Sequence, residues 1–393
     1  SGDAGAPGGQ AGLTGAAGAA ATGPCVWSGF AGQGTYGTGS GPDSIVVADL
    51  DRDGRLDLAT SNWGGARGSD DGSVSVLLAN GPGTFAAQTM YETEIQPNDL
   101  AVGDLTGDGL PEIVVAGGLD TLNVLHNAGG GAFAPRPGVH LSEPLAVTVA
   151  DLDGDGRADV AASMGSDAVD IFLGKGDGTL VPTGQYVTGD MTYGLAAADL
   201  DGDGRLDLVA TNVSYPPGVG LPVSLGEGRV AVFINQGGGK FADEVRYQAG
   251  NGTDALAVAD LDGDGRPDVA VANDFDGTVG VFHNRGDGTF DSQAAYEVGA
   301  TTSTAQGGGM AGVVAADFDG DGHVDLVTTR TLDDDTTVVL LRNAGDGTFA
   351  PPAAVPGPAR PEAIASGDFD GDGRPDLAIT GDATVTIMLA QCR

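Results

Sequence analysis

Asp151-Leu-Asp153-Gly-Asp155-Gly156-Arg157-Ala-Asp159 is the stretch on which the fold is decided. It is one copy of an acidic nonapeptide, D-x-D-x-D-G-x-x-D. Seven copies stand in the 393 residues, starting at Asp49, Asp104, Asp151, Asp199, Asp260, Asp317 and Asp368. Successive starts are 55, 47, 48, 61, 57 and 51 residues apart, which is the size of one four-stranded supersecondary unit. Units that cannot each bury a face alone must stack, and for short sheets the natural closure is a ring.

The chemistry of the nonapeptide is that of a cation loop. Carboxylates at positions 1, 3 and 5 face one side of a tight turn, and Gly at position 6 permits it. The backbone carbonyl of position 7 can turn inward, and the ninth residue closes the shell. Several anionic hard oxygens in a flexible loop suit Ca²⁺ better than Mg²⁺, which demands a small octahedron and keeps its waters. Without a cation the clustered carboxylates repel one another, so the metal is expected to be part of the fold. The expected ligand sets number about seven. The first two are Asp49, Asp51, Asp53, Arg55 and Asp57, and Asp104, Thr106, Asp108, Leu110 and Glu112. The next three are Asp151, Asp153, Asp155, Arg157 and Asp159; Asp199, Asp201, Asp203, Arg205 and Asp207; and Asp260, Asp262, Asp264, Arg266 and Asp268. The last two are Asp317, Asp319, Asp321, His323 and Asp325, and Asp368, Asp370, Asp372, Arg374 and Asp376. Arg52 replaces a fourth-position Gly and leaves its ligands intact. Thr106 and Glu112 leave the second loop one charge short, so it is expected to be the weakest site.

An EF-hand is excluded, because its twelfth-position Glu is here Thr60, Val115, Ala162, Ala210, Val271, Thr328 or Ile379, and an apolar strand follows the ninth residue at once. A second element recurs between the loops, a Gly turn such as Asn80-Gly-Pro-Gly-Thr-Phe85, with counterparts at Asn127, Gly174, Asn235, Asn284 and Asn343. Gly-rich tetrapeptides between apolar runs read as hairpin turns. One unit is therefore strand A (44–47), cation loop, strand B (56–60), strand C (74–79), Gly turn and strand D (85–91).

These two elements, recurring in phase over roughly residues 25–393, resemble the FG-GAP or VCBS repeat, the calcium-loop blade also found in the head of integrin α chains. The resemblance implies an all-β, seven-bladed β-propeller of four-stranded blades, with calcium on the positions just named. Ring closure follows from the ends themselves. The last repeat has no strand D, and Phe30 to Tyr36 matches Phe85 to Tyr91 position for position, so the N-terminus is expected to complete the final blade. In that register Cys25 and Cys392 face each other across the seam, and a disulfide there would place the protein in an oxidising compartment.

The net charge is −38, and the seven nonapeptides hold 27 of the 55 acidic side chains, so about half of the acidity belongs to the loops. Such a surface repels nucleic acid and anionic membranes, and no segment is apolar enough to span a bilayer. Residues 1–23, rich in Gly and Ala, read as a flexible linker ahead of a propeller over residues 24–393. Ser1 without a signal peptide suggests a processed chain that is secreted or held at the outer cell surface, with a lipid anchor before Ser1 as one route. Arg285-Gly286-Asp287 occupies the repeated turn and is not read as an attachment tripeptide. Strand alternation puts cation loops and Gly turns on one face. The insertions 62–71 (with Trp63 and Arg67), 213–228 (with Tyr215) and 299–309 lie on the other, where propellers bind. The expected function is a binding or adhesion module for a glycan or extracellular protein through Trp63, Arg67 and Tyr215. The alternatives are a polysaccharide-degrading enzyme or its accessory, marked by polar residues of perturbed acidity at the channel mouth, and a surface-fibre subunit assembled through the Gly-rich tail.

Overall fold

The computed structural model describes residues 26–64, 72–93, 96–117, 121–165, 167–214, 226–299, 312–329 and 337–392. Each repeat folds as a four-stranded antiparallel sheet. The third is representative, with Pro144–Ala150, Asp159–Met164, Ala168–Gly174 and Leu180–Val187 as strands A to D. Its register sets Val149 opposite Val160 and Val160 opposite Phe172. Strand B is buried throughout in the fourth and fifth blades except at its last residue, Ser214, because both of its faces are covered by neighbouring blades. A strand covered on both faces loses the apolar–polar alternation of a surface strand.

Blade 1 runs from Pro42–Ala48 to Thr89–Glu92, blade 2 from Pro97–Gly103 to Phe133–His140, and blade 4 from Met191–Ala198 to Val245–Asn251. Blade 5 runs from Thr253–Ala259 to Ala294–Glu297 and blade 6 from Val313–Ala316 to Ala353–Pro356. Blade 7 takes three strands from the C-terminal end, Ile364–Gly367, Asp376–Gly381 and Thr384–Cys392, and its fourth, Trp27–Gly37, from the N-terminal end. That closure is the one expected from the sequence, with Phe30 opposite Ala390 and Tyr36 opposite Val385. Cys392 pairs with Trp27 in the same ladder, while Cys25 and residues 1–23 lie outside the described residues.

The core is divided by interface rather than by blade. Ala101, Val114 and Leu122 of blade 2 pack with Val149, Val160 and Phe172 of blade 3. Equivalent clusters join blades 3 and 4, 4 and 5, 5 and 6, 6 and 7, and 1 and 2. Ile45, Leu58 and Leu77 of blade 1 pack with Ile387 and Leu389 of blade 7, which completes the ring. Each fully buried Leu, Ile or Val contributes roughly 1.5–3 kcal/mol, so every blade depends on both neighbours. The A strands of successive blades touch one another and form the inner wall. They run from the insertion-bearing rim toward the cation loops.

One detail departs from the sequence reading. Asn80 does not correspond to Asn127, Asn235, Asn284 and Asn343, because Ala79 occupies their place in blade 1 and Asn80 is exposed. Blade 1 turns through the short strands Ala79–Gly81 and Thr84–Phe85, with a register shift that moves its Asn one residue on.

Candidate metal centres

Position 1 organises each loop. In blade 3 one oxygen of Asp151 accepts the N–H groups of Gly154 (2.8 Å) and Asp155 (3.1 Å), and the other accepts that of Gly156 (2.9 Å). Asp153 accepts from the Asp155 N–H and Asp155 from the Arg157 N–H, each at 3.0 Å. The same bonds recur around Asp199, Asp260, Asp317 and Asp368. Gly156 sits at φ +81°, where a side chain would be strained. With the backbone donors satisfied locally, the remaining lone pairs converge. Carboxylate oxygens of Asp49, Asp51 and Asp53, of Asp199, Asp201 and Asp203, and of Asp260, Asp262 and Asp264 lie within 4.8 Å of one another. In blade 3 the close trio is Asp151, Asp153 and Asp159.

The ninth residue has a second role that the sequence did not disclose. Asp57 is buried and takes the N–H of Leu50 (2.8 Å) on one oxygen and that of Ala79 (2.7 Å) on the other. It therefore ties the loop to the end of strand C. Asp159, Asp207, Asp268 and Asp376 repeat the pair of bonds. Asp325 keeps the bond from Asn343, but its Oδ2 is buried without a hydrogen-bond partner. Burial, reinforced by the other aspartates of each loop and opposed by the backbone donors, pushes Asp57 and Asp159 up to about 6, and Asp325 and Asp376 up to about 7. Crowded carboxylates with one buried oxygen left unsatisfied are a donor set that fits a divalent cation taking oxygen ligands.

Position 7 also does more than offer a carbonyl. The guanidinium of Arg55, Arg205 or Arg266 pairs with the fifth-position aspartate and donates through Nε to the carbonyl of Ala79, Asn235 or Asn284. Arg157 and Arg374 make the same pairing with Asp155 and Asp372. The recurrence of Arg at five of seven copies was the available signal. In the second loop Glu112 is buried, accepts the Leu105 N–H (2.9 Å) and meets His126 Nδ1 at 2.9 Å.

Among the described residues, six of the seven loops are bonded to the following blade. Asn127, Asn235, Asn284 and Asn343 donate through Nδ2 to the second-position carbonyls of the preceding loops, those of Leu50, Leu152, Leu200 and Leu261, at 2.6–2.9 Å. Gly178 and Gly83 reach the carbonyls of Leu105 and Phe369 with backbone N–H groups instead. Beside these staples a strand-D tyrosine stands edge-on to the phenylalanine of the next Gly turn, as in Tyr91–Phe133, Tyr186–Phe241 and Tyr247–Phe290. The tyrosine hydroxyl accepts the Phe N–H in all three.

On the opposite rim Trp63 is partly buried and donates from Nε1 to Asn98 of blade 2 (3.1 Å). Arg67, Tyr215 and most of the three insertions lie outside the described residues. At the rim-side start of the inner wall, a register shift between Thr253 and Leu256 accommodates Asp254. Its burial, then the fields of Asp274 and Asp43, push it up to about 8. Asp99, one blade interface away from Asp43, is raised to about 6 by burial while it accepts Ser44 Oγ (2.8 Å) and the N–H of Val147 (3.0 Å). It thereby links three blades.

The FG-GAP-like repeat family matches residues 65–115, 104–162, 151–210, 223–271, 260–328 and 319–379, and the FG-GAP repeat matches residues 191–233. No curated protein sequence matches the chain. Among solved structures, an Agrocybe aegerita lectin described by its specific recognition of non-reducing terminal N-acetylglucosamine is 23% identical, with a TM-score of 0.55, over 88% of this chain and 85% of its own. BBS1N in complex with ARL6DN, in crystals soaked with lead, is 12% identical with a TM-score of 0.61 over 93% of this chain and 98% of its own. The same complex soaked with mercury gives 11% and 0.58 over the same shares. These likenesses are to the propeller fold.

Proposed function

We infer the function from one premise: the chain belongs to the FG-GAP-like repeat family. It acts as a calcium-stabilised binding module whose glycan or protein ligand docks on the rim opposite the loops. The observation that carries this reading is the segregation of the two faces. Repeated loops and turns occupy one face, while every long insertion starts from a strand end on the other. Ca²⁺ would be held by the side chains of positions 1, 3, 5 and 9, carboxylates except for Thr106, and the carbonyl of position 7, with Arg55, Leu110, Arg157, Arg205, Arg266, His323 or Arg374 supplying that carbonyl. It would neutralise the crowded aspartates and rigidify the loop that carries the next blade. Two neighbours of this fold bind, one a terminal sugar and the other a protein partner, and both classes suit a rim of this kind.

Secretion or surface exposure, with a Cys25–Cys392 clasp, belongs to the same proposal. The test is retention of the calcium-loaded protein on a glycan and extracellular-protein array, with a chelator arm and thermal melts alongside. The reading expects one ligand class, retained in calcium and weakened by Trp63→Ala, Arg67→Ala or Tyr215→Ala. A chelator that leaves the melting temperature unmoved would sink the structural metal. Silence across the array from folded protein would sink the binding module.

One observation favours a second reading, polysaccharide cleavage at the inner mouth. Burial, then the fields of Asp274 and Asp43, push the Asp254 carboxyl up to about 8, so it would hold a proton near neutral pH as a general acid must. Release of reducing ends from a polysaccharide panel, abolished by Asp254→Asn, would support it.

A further inference from the structure

Blade 5 carries an imidazole where the other complete loops have none. His283, the residue before the turn Asn284, brings Nδ1 to 3.4 Å from Asp268 Oδ2 and 3.8 Å from Asp262 Oδ2. The three donor atoms lie within 4.8 Å of one another. The Asp268 contact is a long hydrogen bond, to an oxygen that also accepts the Leu261 N–H, against the ~2.9–3.0 Å of a well-formed one. Donors around a four-coordinate zinc, at ~2.0–2.2 Å from the metal, stand roughly 3.4 Å apart. His126 provides the internal comparison. It holds the same place in blade 2, but meets Glu112 at 2.9 Å, and Thr106 stands where Asp262 does. That histidine is a hydrogen-bonded partner, and it lacks a third donor.

The slot is also pre-shaped. In four of the other blades the residue here is apolar and the facing glycine of the next turn presses on it: Gly131 on Leu78, Gly239 on Leu173, Gly288 on Ile234 and Gly83 on Leu389; blade 2 has His126 and blade 6 has Arg342. In blade 5 the facing glycine is Gly347, and a Cβ there would run into both the His283 ring and Asp262 Cβ. The imidazole is thus held over the loop by its neighbour blade. An oxygen-only loop suits a hard cation, whereas adding an imidazole nitrogen shifts preference toward first-row transition metals.

We propose that Asp262, Asp268 and His283 form a site for a borderline divalent metal of the zinc class, unique to blade 5 among the described residues, sharing two carboxylates with the cation loop. The inference rests on reading the loops as metal sites. The experiment therefore counts calcium and zinc separately in the same full-length protein, by equilibrium dialysis and elemental analysis, with Co²⁺ absorption as a spectroscopic probe. The unmodified protein should retain one Zn²⁺ and give an intense visible Co²⁺ band. His283→Leu, which installs the residue of blades 1, 3 and 7 and so keeps the fold, should weaken zinc by at least ~10-fold and erase the band. His126→Leu should change neither. Zinc affinity unaffected by His283→Leu, or lost equally in His126→Leu, overturns the site, as does failure to retain zinc. Calcium absent from every loop while the zinc result holds would instead sink the calcium reading and leave this one standing.

Discussion

At the scale of single residues, two side chains are held where the fold strains them. Arg52 occupies the fourth loop position at φ +63°, where Gly154, Gly202, Gly263, Gly320 and Gly371 lie at +75° to +81°. A left-handed non-glycine residue costs roughly 1–2 kcal/mol, so Arg52→Gly should raise the unfolding free energy by about 1 kcal/mol in calcium buffer, with a higher denaturation midpoint. A lower midpoint would mean that the Arg52 guanidinium, which crosses to Gly109 of the next loop, contributes more than the strain removes. Asp254 is strained electrostatically, with its carboxyl pushed up to about 8 by burial and then by Asp274 and Asp43. The sign follows from linkage. The folded chain holds a proton that the unfolded chain releases near its ordinary pKa of ~3.9. The group therefore costs nothing below that value, destabilises progressively as pH rises toward 8, and levels off above. Asp254→Asn should add about 1 kcal/mol or more at pH 8 and progressively less toward pH 5, measured as the difference between paired melts. A constant difference across that range would show that packing, not ionisation, was altered.

At the scale of the element, the unit to test is the turn that staples one blade to the loop before it. Buried Asn235 donates to the carbonyls of Leu152 and Leu206 at 2.8 Å and accepts the N–H of Gly237 at 2.8 Å, the Leu152 bond fully buried and the other two partly so. Asn235→Ala strands two buried carbonyls and should cost about 2–4 kcal/mol by denaturant titration. Asn80→Ala, at an exposed position, should cost less than ~0.5 kcal/mol. Equal effects would dismiss the staple. This pair also marks what could be read from the chain. Strand order, loop spacing and the A–D blade were legible because alternating apolar runs and Gly turns are local chemistry. The meaning of the turn Asn was not, since its partner lies 77 to 84 residues away in another repeat. The ninth aspartate was read only as the residue that closes the cation shell; its bonds to the loop and to strand C were not legible, because its strand-C partner is a backbone N–H with no side-chain signature. Asp254 was illegible for the same reason, its surroundings being assembled from two strands and a turn of blades 1 and 5.

At the scale of the whole molecule, the ring is only as strong as its seam. Six blades are continuous in sequence, and the seventh joins residues more than 350 positions apart, as in the pairing of Trp27 with Cys392. Eight other pairs continue that ladder down to Gly37 and Thr384. Blade 6 holds the same strand through Phe318 edge-on to Phe30 (5.5 Å) and the Arg342 guanidinium 4.4 Å over the Trp27 ring. Fraying of this one strand would uncover the interface clusters of blades 6, 7 and 1 together, so a covalent clasp here acts on the cooperative unit rather than on one hairpin. Cys25 stands two residues before Trp27 and is the only other cysteine. Its proposed bond to Cys392 closes nearly the whole chain, for which a chain-entropy argument gives about 5–6 kcal/mol, with measured effects commonly smaller at ~2–4 kcal/mol. Cys25→Ser with Cys392→Ser should therefore lower stability by about 2–4 kcal/mol in calcium buffer, and each single variant should match the double. Non-reducing peptide mapping of the parent should yield one linked peptide containing both residues. Two alkylatable thiols in the native, unreduced protein, or singles that differ from the double, would remove the clasp and leave the aromatic seam to hold the ring alone.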